Sequence, residues 1–288
     1  MPARLTRQSF LNATACPRLG WFSRRETPPV QLAPEAGTLA DRLHGDEQKD
    51  VHDRARAAFP DATAVTRQAF EAACWQTQDL LDRSSTQSIL EAAFGTATCR
   101  ARADALVRTT DAWHLYEVKA DTVLTPRLVD ETAYIWMVLD TAGVTLSGAS
   151  ILLVSPAYRA GQPDSAMFTA VDMTPKVSSR AAEFARMADA IDAATRGKEP
   201  PAARLIPHCR MCPLFRSCFG EDLEHPVFEL PHLSPAQLTF MLAQGYRAVT
   251  DVPRETLPEG RQAMVWRAVK AGDTIVAGDL RAALESVV

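Results

Sequence analysis

The sequence has 288 residues, of which 47% are hydrophobic and 23% charged, values typical of a soluble globular protein with one or two domains. Its formal net charge of −4 excludes a bulk polycation, so a nucleic acid would need a local basic surface. The longest apolar run, residues 144–156, is too short and too rich in Ser and Gly to span a membrane. Because the N-terminus lacks the apolar core of a signal peptide, we expect a cytoplasmic protein with reduced cysteines.

The first two thirds of the chain predict helices, then strands, then helices and strands in alternation. Helical spacing of apolar residues predicts helices at 5–14, 37–58 and 66–82. Period-two alternation predicts three successive strands in SILEAAFG, ATCRARADALVRT and WHLYEVKA. A helix at 127–141, strands in LSGASILLVS and MFTAVDMT, and a helix at 175–195 follow. This order predicts an α/β fold with a mixed sheet flanked by helices.

The last third changes in composition. A Pro-rich connector at 195–207 leads into HCRMCPLFRSC, and a helix begins after the N-cap Ser234 with proline in its first turn. A second helix is predicted in PEGRQAMVWRAVKAG. We therefore predict a main domain at 1–225 and a small helical domain or linker at 226–288. The apolar end LESVV suggests a chain cut from a longer protein.

The N-terminal segment is locally basic. Before residue 36, five arginines stand against two glutamates, and the arginines are Arg4, Arg7, Arg18, Arg24 and Arg25. Such a run is usually a solvated face, but it is also a candidate surface for nucleic acid.

Four of the six cysteines have the spacing of a metal site. Cys209, Cys212 and Cys218 form C-x2-C-x5-C, and Cys16 is the candidate for a fourth ligand. Iron–sulfur clusters use four thiolates with varied spacing, whereas structural zinc sites commonly use two close pairs, so the pattern favours iron–sulfur and leaves zinc open. Cys74 and Cys99 fall inside a predicted helix and strand, where core packing is the simplest interpretation.

The segment RADALVRTTDAWHLYEVKA contains charges where a half-buried hairpin normally has aliphatic residues. Strand alternation places Glu117 and Lys119 on one face, and pairing would bring Asp104 beside Glu117. Two carboxylates at one place stay ionised only with a cation between them, and oxygen ligands suit Mg²⁺ or Mn²⁺. The alternative is an ordinary ion pair at a solvated sheet edge.

Together, the hairpin and the cysteines resemble a known family. LTRQSFLNATACPRLGWF, RADAL, YEVKAD and CRMCPLFRSC resemble, in that order, the iron–sulfur branch of the RecB-like PD-(D/E)XK nucleases, over most of residues 4–218. That branch includes the CRISPR-associated RecB-like and AddB-type nucleases. The chain is also similar to uncharacterised bacterial proteins that join a RecB-like domain to an RNase H-like exonuclease. The resemblance implies a restriction-endonuclease-like fold with an iron–sulfur-stapled helical region.

The resemblance also implies roles for individual residues. Asp104 and Glu117 match the metal-binding acids and Lys119 the catalytic lysine, while the Val118 carbonyl and His52 match further ligands of Mg²⁺ or Mn²⁺. A 4Fe-4S cluster would be held by the four cysteines Cys16, Cys209, Cys212 and Cys218. Two features depart from the family: Ala103 stands in place of proline, and the expected Gln-x3-Tyr helix has Tyr134 but no Gln.

The resemblance thus predicts a metal-dependent deoxyribonuclease, most simply an exonuclease, acting on single-stranded DNA or DNA with free ends. Its partners would be DNA and a helicase or C-terminal exonuclease domain that this chain does not contain, with no membrane involved. The alternative is a non-catalytic nucleic-acid-binding or scaffolding module with a structural cluster or zinc.

Overall fold

A computed structural model describes residues 3–25, 39–159, 161–220 and 222–274, with backbone only at 39–45. The chain divides into two compact units, Met1–Pro201 and Ala202–Val288. The boundary expected at 225/226 therefore falls inside the second unit. As a result, the C-x2-C-x5-C motif belongs to the second unit and Cys16 to the first.

The first unit is built on a sheet that has six strands within the described residues, in the order β1-β2-β3-β4-β5-β6. The β1–β2 and β4–β5 pairs are parallel and the other pairs are antiparallel. The prediction of an α/β fold with a mixed sheet is confirmed. The strands are β1 (Thr63–Ala64), β2 (Ser88–Gly95), β3 (Arg100–Arg108), β4 (Trp113–Lys119), β5 (Leu146–Val154) and β6 (Phe168–Asp172).

Helices cover the sheet of the first unit. Thr125 caps the helix Pro126–Thr141. This helix begins with a proline, and at that position the N–H that proline lacks would have no partner within the helix. It packs against the long helix Thr174–Arg196 and against strands β3 and β5. The helices are α1 (Arg7–Ala15), α2 (Pro17–Ser23), α3 (Leu39–Ala55), α4 (Phe70–Asp82), α5 (Pro126–Thr141) and α6 (Thr174–Arg196).

The core of the first unit lies between the sheet and helices α1, α5 and α6. The Phe10 ring lies 5.1 Å from the rings of both Tyr134 and Phe184, and all three side chains are buried. Such aromatic clusters supply much of the apolar area that a core removes from water. Tyr134 also donates its hydroxyl to the carbonyls of Leu5 and Arg100, which fixes the chain before α1 against the start of β3.

Most predicted elements of the first unit are present with small shifts at their ends. The helix predicted at 66–82 begins only at Phe70. The helix predicted at 37–58 corresponds to α3 and a following 3₁₀ turn at Arg56–Ala58, and residues 37 and 38 of that prediction lie outside the described ranges. Helix α2 and the short strand β1 were not predicted. Both are too short to produce a clear periodic pattern, which explains why the sequence does not reveal them.

The second unit has its own small core. Val227, Leu230 and Val249 are fully buried there, and Ser234 caps a helix through a reciprocal bond with Gln237, as the N-cap prediction requires. The helices are α7 (Phe215–Phe219), α8 (Pro235–Ala243) and α9 (Arg261–Ala271), joined by 3₁₀ turns at Pro207–Met211, Val227–Glu229, Val249–Asp251 and Arg254–Thr256. Among the described residues, no helix combines the length and apolar character needed to cross a membrane.

Candidate active site

The candidate site lies where β3 and β4 separate. The backbone pairing of these strands ends at Ala105 and Tyr116, and the next pair in this register is Asp104 and Glu117. Beyond the last backbone pair, the backbone amides of the two strands face carboxylate side chains instead of backbone carbonyls. The Val118 amide donates to Asp104 Oδ2 at 2.8 Å, and the Asp104 amide lies 3.3 Å from Glu117 Oε1. The expectation that pairing brings the two acids together agrees with this geometry.

Both acids are mostly removed from solvent. Glu117 is completely buried, and the Asp104 side chain is 16% exposed. Burial raises the pKa of Asp104 to about 6. Burial, together with the negative charge of Asp104, raises the pKa of Glu117 to about 7. Burial makes the charged form of these carboxyls unfavourable, and a bound cation would stabilise that charged form.

Lys119 is nearly buried and contacts two carboxylates. Its Nζ lies 3.4 Å from Glu117 Oε2 and 3.1 Å from Oε2 of Glu131, on helix α5. Arg7 approaches the same two carboxylates at 3.7 and 3.9 Å. Burial alone would raise the pKa of Glu131, but Lys119 and Arg7 outweigh it and lower this pKa. Glu131 is a site residue that the sequence reasoning missed.

Helix α3 brings His52 to the site. His52 Nδ1 lies 3.7 Å from Asp104 Oδ1, the carboxylate oxygen that does not accept the Val118 amide. Burial lowers the pKa of His52, so its ring is neutral at pH 7 and can act as a metal ligand. One turn earlier, Gln48 donates to the Val118 carbonyl at 3.3 Å and accepts from the Ala120 amide at 3.2 Å. These bonds attach α3 to the end of β4.

A small cavity of about 20 Å³ lies between α3 and the sheet. Four residues with ligand atoms line it, namely His52, Glu91, Asp104 and Val118. About 10–15 Å³ holds one water molecule, so this space accommodates a water or a single cation. Carboxylate, carbonyl and imidazole are ligand types that suit Mg²⁺ or Mn²⁺, so the chemistry of the donor set fits the predicted metal. The three side chains among these ligands, those of His52, Glu91 and Asp104, are not drawn together into a metal-binding arrangement. Glu117 does not line this cavity.

Glu91 is a second residue that sequence reasoning missed. It lies on β2 between Leu90 and Ala92, whose partners are Ala105 and Ala103, and its φ is +57°. Positive φ is unfavourable for a residue with a Cβ and clusters at functional sites. Its charge also contributes to raising the pKa of Asp104. The strained backbone therefore occurs at a carboxylate residue that lines the small cavity together with Asp104.

The basic N-terminal segment is largely used inside the protein. Arg4 pairs with Glu71 at 2.5 Å, and Arg24 with Asp192 at 2.7 Å. Arg18 and Arg25 donate to the carbonyls of Pro201 and Gly197. Four of the five arginines of this run therefore make contacts within the protein, while Arg7 lies at the candidate site. Tyr134, the residue of the Gln-x3-Tyr pattern that this sequence retains, is buried in the core.

The cysteines lie in both units. Cys16 stands between α1 and α2, while Cys209 is in a 3₁₀ turn, Cys212 ends that turn and Cys218 is on α7. Cys99 is buried and Cys74 half-buried, and burial raises the pKa of both thiols, as expected for core residues. Within the described ranges, no group of three or more His, Cys, Asp or Glu side chains is arranged to hold a metal ion.

The sequence was compared with protein-family models and with curated proteins, and neither comparison found a match.

Proposed function

We propose that this protein is a metal-dependent nuclease that hydrolyses phosphodiester bonds, as an exonuclease on single-stranded or end-containing DNA. The observation that supports this most is the pair of carboxyls, Asp104 and Glu117, at the place where β3 and β4 separate, which we call the β3–β4 fork. Asp104 and Glu117 meet in a buried place beside Lys119, and both have raised pKa values. Titratable groups perturbed by burial and by a specific charged neighbour are characteristic of active sites.

Each residue of the site would have a defined role. Asp104, the Val118 carbonyl and His52 would hold Mg²⁺ or Mn²⁺ at the small cavity, with Glu117 beside them and Glu91 adding negative charge. The metal would neutralise phosphate charge and make a bound water more acidic. Lys119 would position the attacking water or the scissile phosphate, and Glu131 would hold the Lys119 side chain in place. Gln48 would keep α3, and with it His52, against β4.

The test of catalysis is cleavage of end-labelled single-stranded DNA with Mn²⁺, comparing wild type with Lys119→Ala. Lys198→Ala is the matched control, because this lysine is exposed and lies outside the site. We expect wild type and the control to cleave, the Lys119 variant to be inactive, and chelator to stop all cleavage. Unchanged cleavage by Lys119→Ala would refute the mechanism. Binding without cleavage by wild type would instead support the alternative, a non-catalytic nucleic-acid-binding module.

We further propose that Cys16, Cys209, Cys212 and Cys218 hold a 4Fe-4S cluster with a structural role. Four thiolates at varied spacing are the ligand set of such clusters, and joining distant parts of a chain stabilises a fold. Protein purified without oxygen should be brown and contain iron and sulfide. Cys218→Ser should remove the colour, while Cys74→Ser, at a half-buried core position, should keep it. A colourless wild type containing zinc would show that the zinc alternative is correct.

A further inference from the structure

A second and larger cleft begins at Asp104. It has a volume of about 480 Å³, and its lining includes Arg7, Arg100, Arg102 and Phe70. Asp104 lines both this cleft and the 20 Å³ cavity beside His52. A ligand that reaches the predicted metal site through Asp104 therefore has space to continue along the sheet.

Strand β3 arranges two of these arginines in a row with Asp104. Side chains at every second position of a strand point to one face, so Arg100, Arg102 and Asp104 share a face. Their spacing along the strand is about 6.6 Å per two residues. Neighbouring phosphates of an extended nucleic-acid strand are separated by a similar distance. The row thus matches three successive phosphates, the first of them at Asp104.

The charge of these two arginines is not neutralised by a carboxylate. Arg4 pairs with Glu71 and Arg7 approaches Glu117 and Glu131, but Arg100 and Arg102 form no ion pair with any described residue. This makes the far end of the cleft positive.

Uncharged groups hold both arginines in the cleft. The Arg100 guanidinium lies 5.6 Å from the centre of the Phe70 ring, and Arg102 donates to the Glu91 carbonyl at 3.3 Å. These contacts restrict the side chains while leaving their charge available to an anion.

We propose that Arg102 and Arg100 bind successive phosphates of one nucleic-acid strand, next to the phosphate that lies at Asp104. This inference rests on the proposed function, since it places the scissile phosphate at Asp104. The cleft has the volume of a site for a drug-sized molecule, which suits one or two nucleotides of a single strand. The strand would lie along β3, from Asp104 towards α4.

The test measures binding of labelled oligothymidylate by fluorescence anisotropy in chelator, where no cleavage occurs. Arg100→Ala with Arg102→Ala should weaken binding by about tenfold per arginine, since each change removes a charged hydrogen bond. The slope of log K against log salt should fall by about 1.4, because each phosphate contact on a single strand contributes about 0.7. Arg186→Ala removes an exposed arginine of α6 outside the cleft and should change neither quantity.

A second measurement keeps the proposal testable if the double variant does not fold. A methylphosphonate oligothymidylate has uncharged linkages, and it should not bind wild type detectably. Equal binding of charged and uncharged strands, or an unchanged salt slope in the double variant, would show that the arginines do not bind phosphates. Tighter binding of a duplex than of a single strand would also contradict the inference. A parallel titration with oligouridylate distinguishes DNA from RNA.

The two proposals can fail separately. If wild type binds oligothymidylate through Arg100 and Arg102 but never cleaves DNA with Mn²⁺, the phosphate row is correct and the nuclease is not. If wild type cleaves DNA and the double variant cleaves it with the same KM, the nuclease activity is supported and the phosphate row is wrong.

Discussion

The first unit contains two buried ionic groups, and they differ in how well their charges are matched. At α2 and α6, Arg24 bonds to Asp192 at 2.7 Å, and its other donors reach the Ala3 carbonyl at 2.7 Å and Thr195 Oγ1 at 2.9 Å. Both side chains are almost inaccessible to solvent. Asp192 also accepts a bond from Arg196 at the surface. This group is closely packed with short hydrogen bonds.

At the β3–β4 fork the contacts are longer and the charges less well matched. Lys119 and Arg7 approach Glu117 and Glu131 at 3.1 to 3.9 Å, and the two carboxyls at the fork have raised pKa values. Removing one partner of a closely matched buried pair leaves the other charge buried alone, so the fold should be sensitive to substitution in the Arg24 group. Poorly matched buried charges reduce stability and are retained where chemistry needs them. We therefore expect substitutions to affect stability at the first group and activity at the second.

The largest expected effect is on catalysis at Asp104. Asp104→Asn removes the negative charge but keeps an oxygen that can accept the Val118 amide. Cleavage should fall by about 10²- to 10⁴-fold. The free energy of unfolding in urea should not fall, because the raised pKa of Asp104 means that its buried charge destabilises the metal-free protein at neutral pH. A marked loss of stability with normal activity per folded molecule would remove the contrast between the two groups.

The corresponding substitution at the other group should act on folding. Asp192→Ala leaves Arg24 buried without its carboxylate, and we expect a loss of about 3–5 kcal/mol in the free energy of unfolding. Arg196→Ala removes only the exposed partner of Asp192 and should cost less than about 1 kcal/mol. Urea unfolding of both variants measures the difference. Equal losses in the two variants would mean that Arg24 does not depend on Asp192.

The raised pKa of Glu117 predicts how stability depends on pH in metal-free protein. Because the folded state holds this proton more tightly than the unfolded state, stability should fall as pH rises from the ordinary carboxyl range through about 7. Glu117→Gln lacks this titration and should be more stable than wild type at pH 8 in chelator, by up to about 3 kcal/mol. The two proteins should be similar near pH 4. Parallel pH profiles of the melting temperature would contradict the predicted pKa shift.

The smallest expected effect is at Glu131. Glu131→Gln keeps an acceptor for Lys119 but removes the charge, so kcat should fall by about tenfold with KM unchanged. Glu183→Gln, which affects a surface pair with Arg180, is the matched control and should have no effect. A change in KM with constant kcat would place Glu131 in substrate binding rather than in positioning Lys119.

The sequence was sufficient to predict the five longer strands of the sheet and the central hairpin. Strand β2 has the predicted ends, and alternation correctly placed Asp104 and Glu117 side by side, because pairing of neighbouring strands follows from local pattern. His52 is on a helix as expected and lies 3.7 Å from Asp104. Its approach to the acids depends on how α3 packs on β4, which no local pattern determines.

The missed residues depend on contacts between elements. Glu131 reaches Lys119 only because α5 packs across the sheet, although a search of this helix for an acid as well as Gln would have found it. The positive φ of Glu91 has no signal in SILEAAFG, which reads as an ordinary strand. The surroundings of the arginines also depend on contacts between elements. Their number near the N-terminus indicated a basic segment, but the sequence does not reveal that Arg4 and Arg24 pair with acids or that Arg100 and Arg102 have no ion pair within the described part of the chain.

The bond from the Val118 amide to Asp104 Oδ2 has a practical consequence for spectroscopy. Most strand amides donate to a backbone carbonyl, whose electronic state is insensitive to pH and to added ions. This amide proton donates instead to a titratable carboxylate at the centre of the proposed site. Its NMR chemical shift should therefore follow the protonation of Asp104 and the arrival of a cation, so that the protein contains its own reporter of site occupancy.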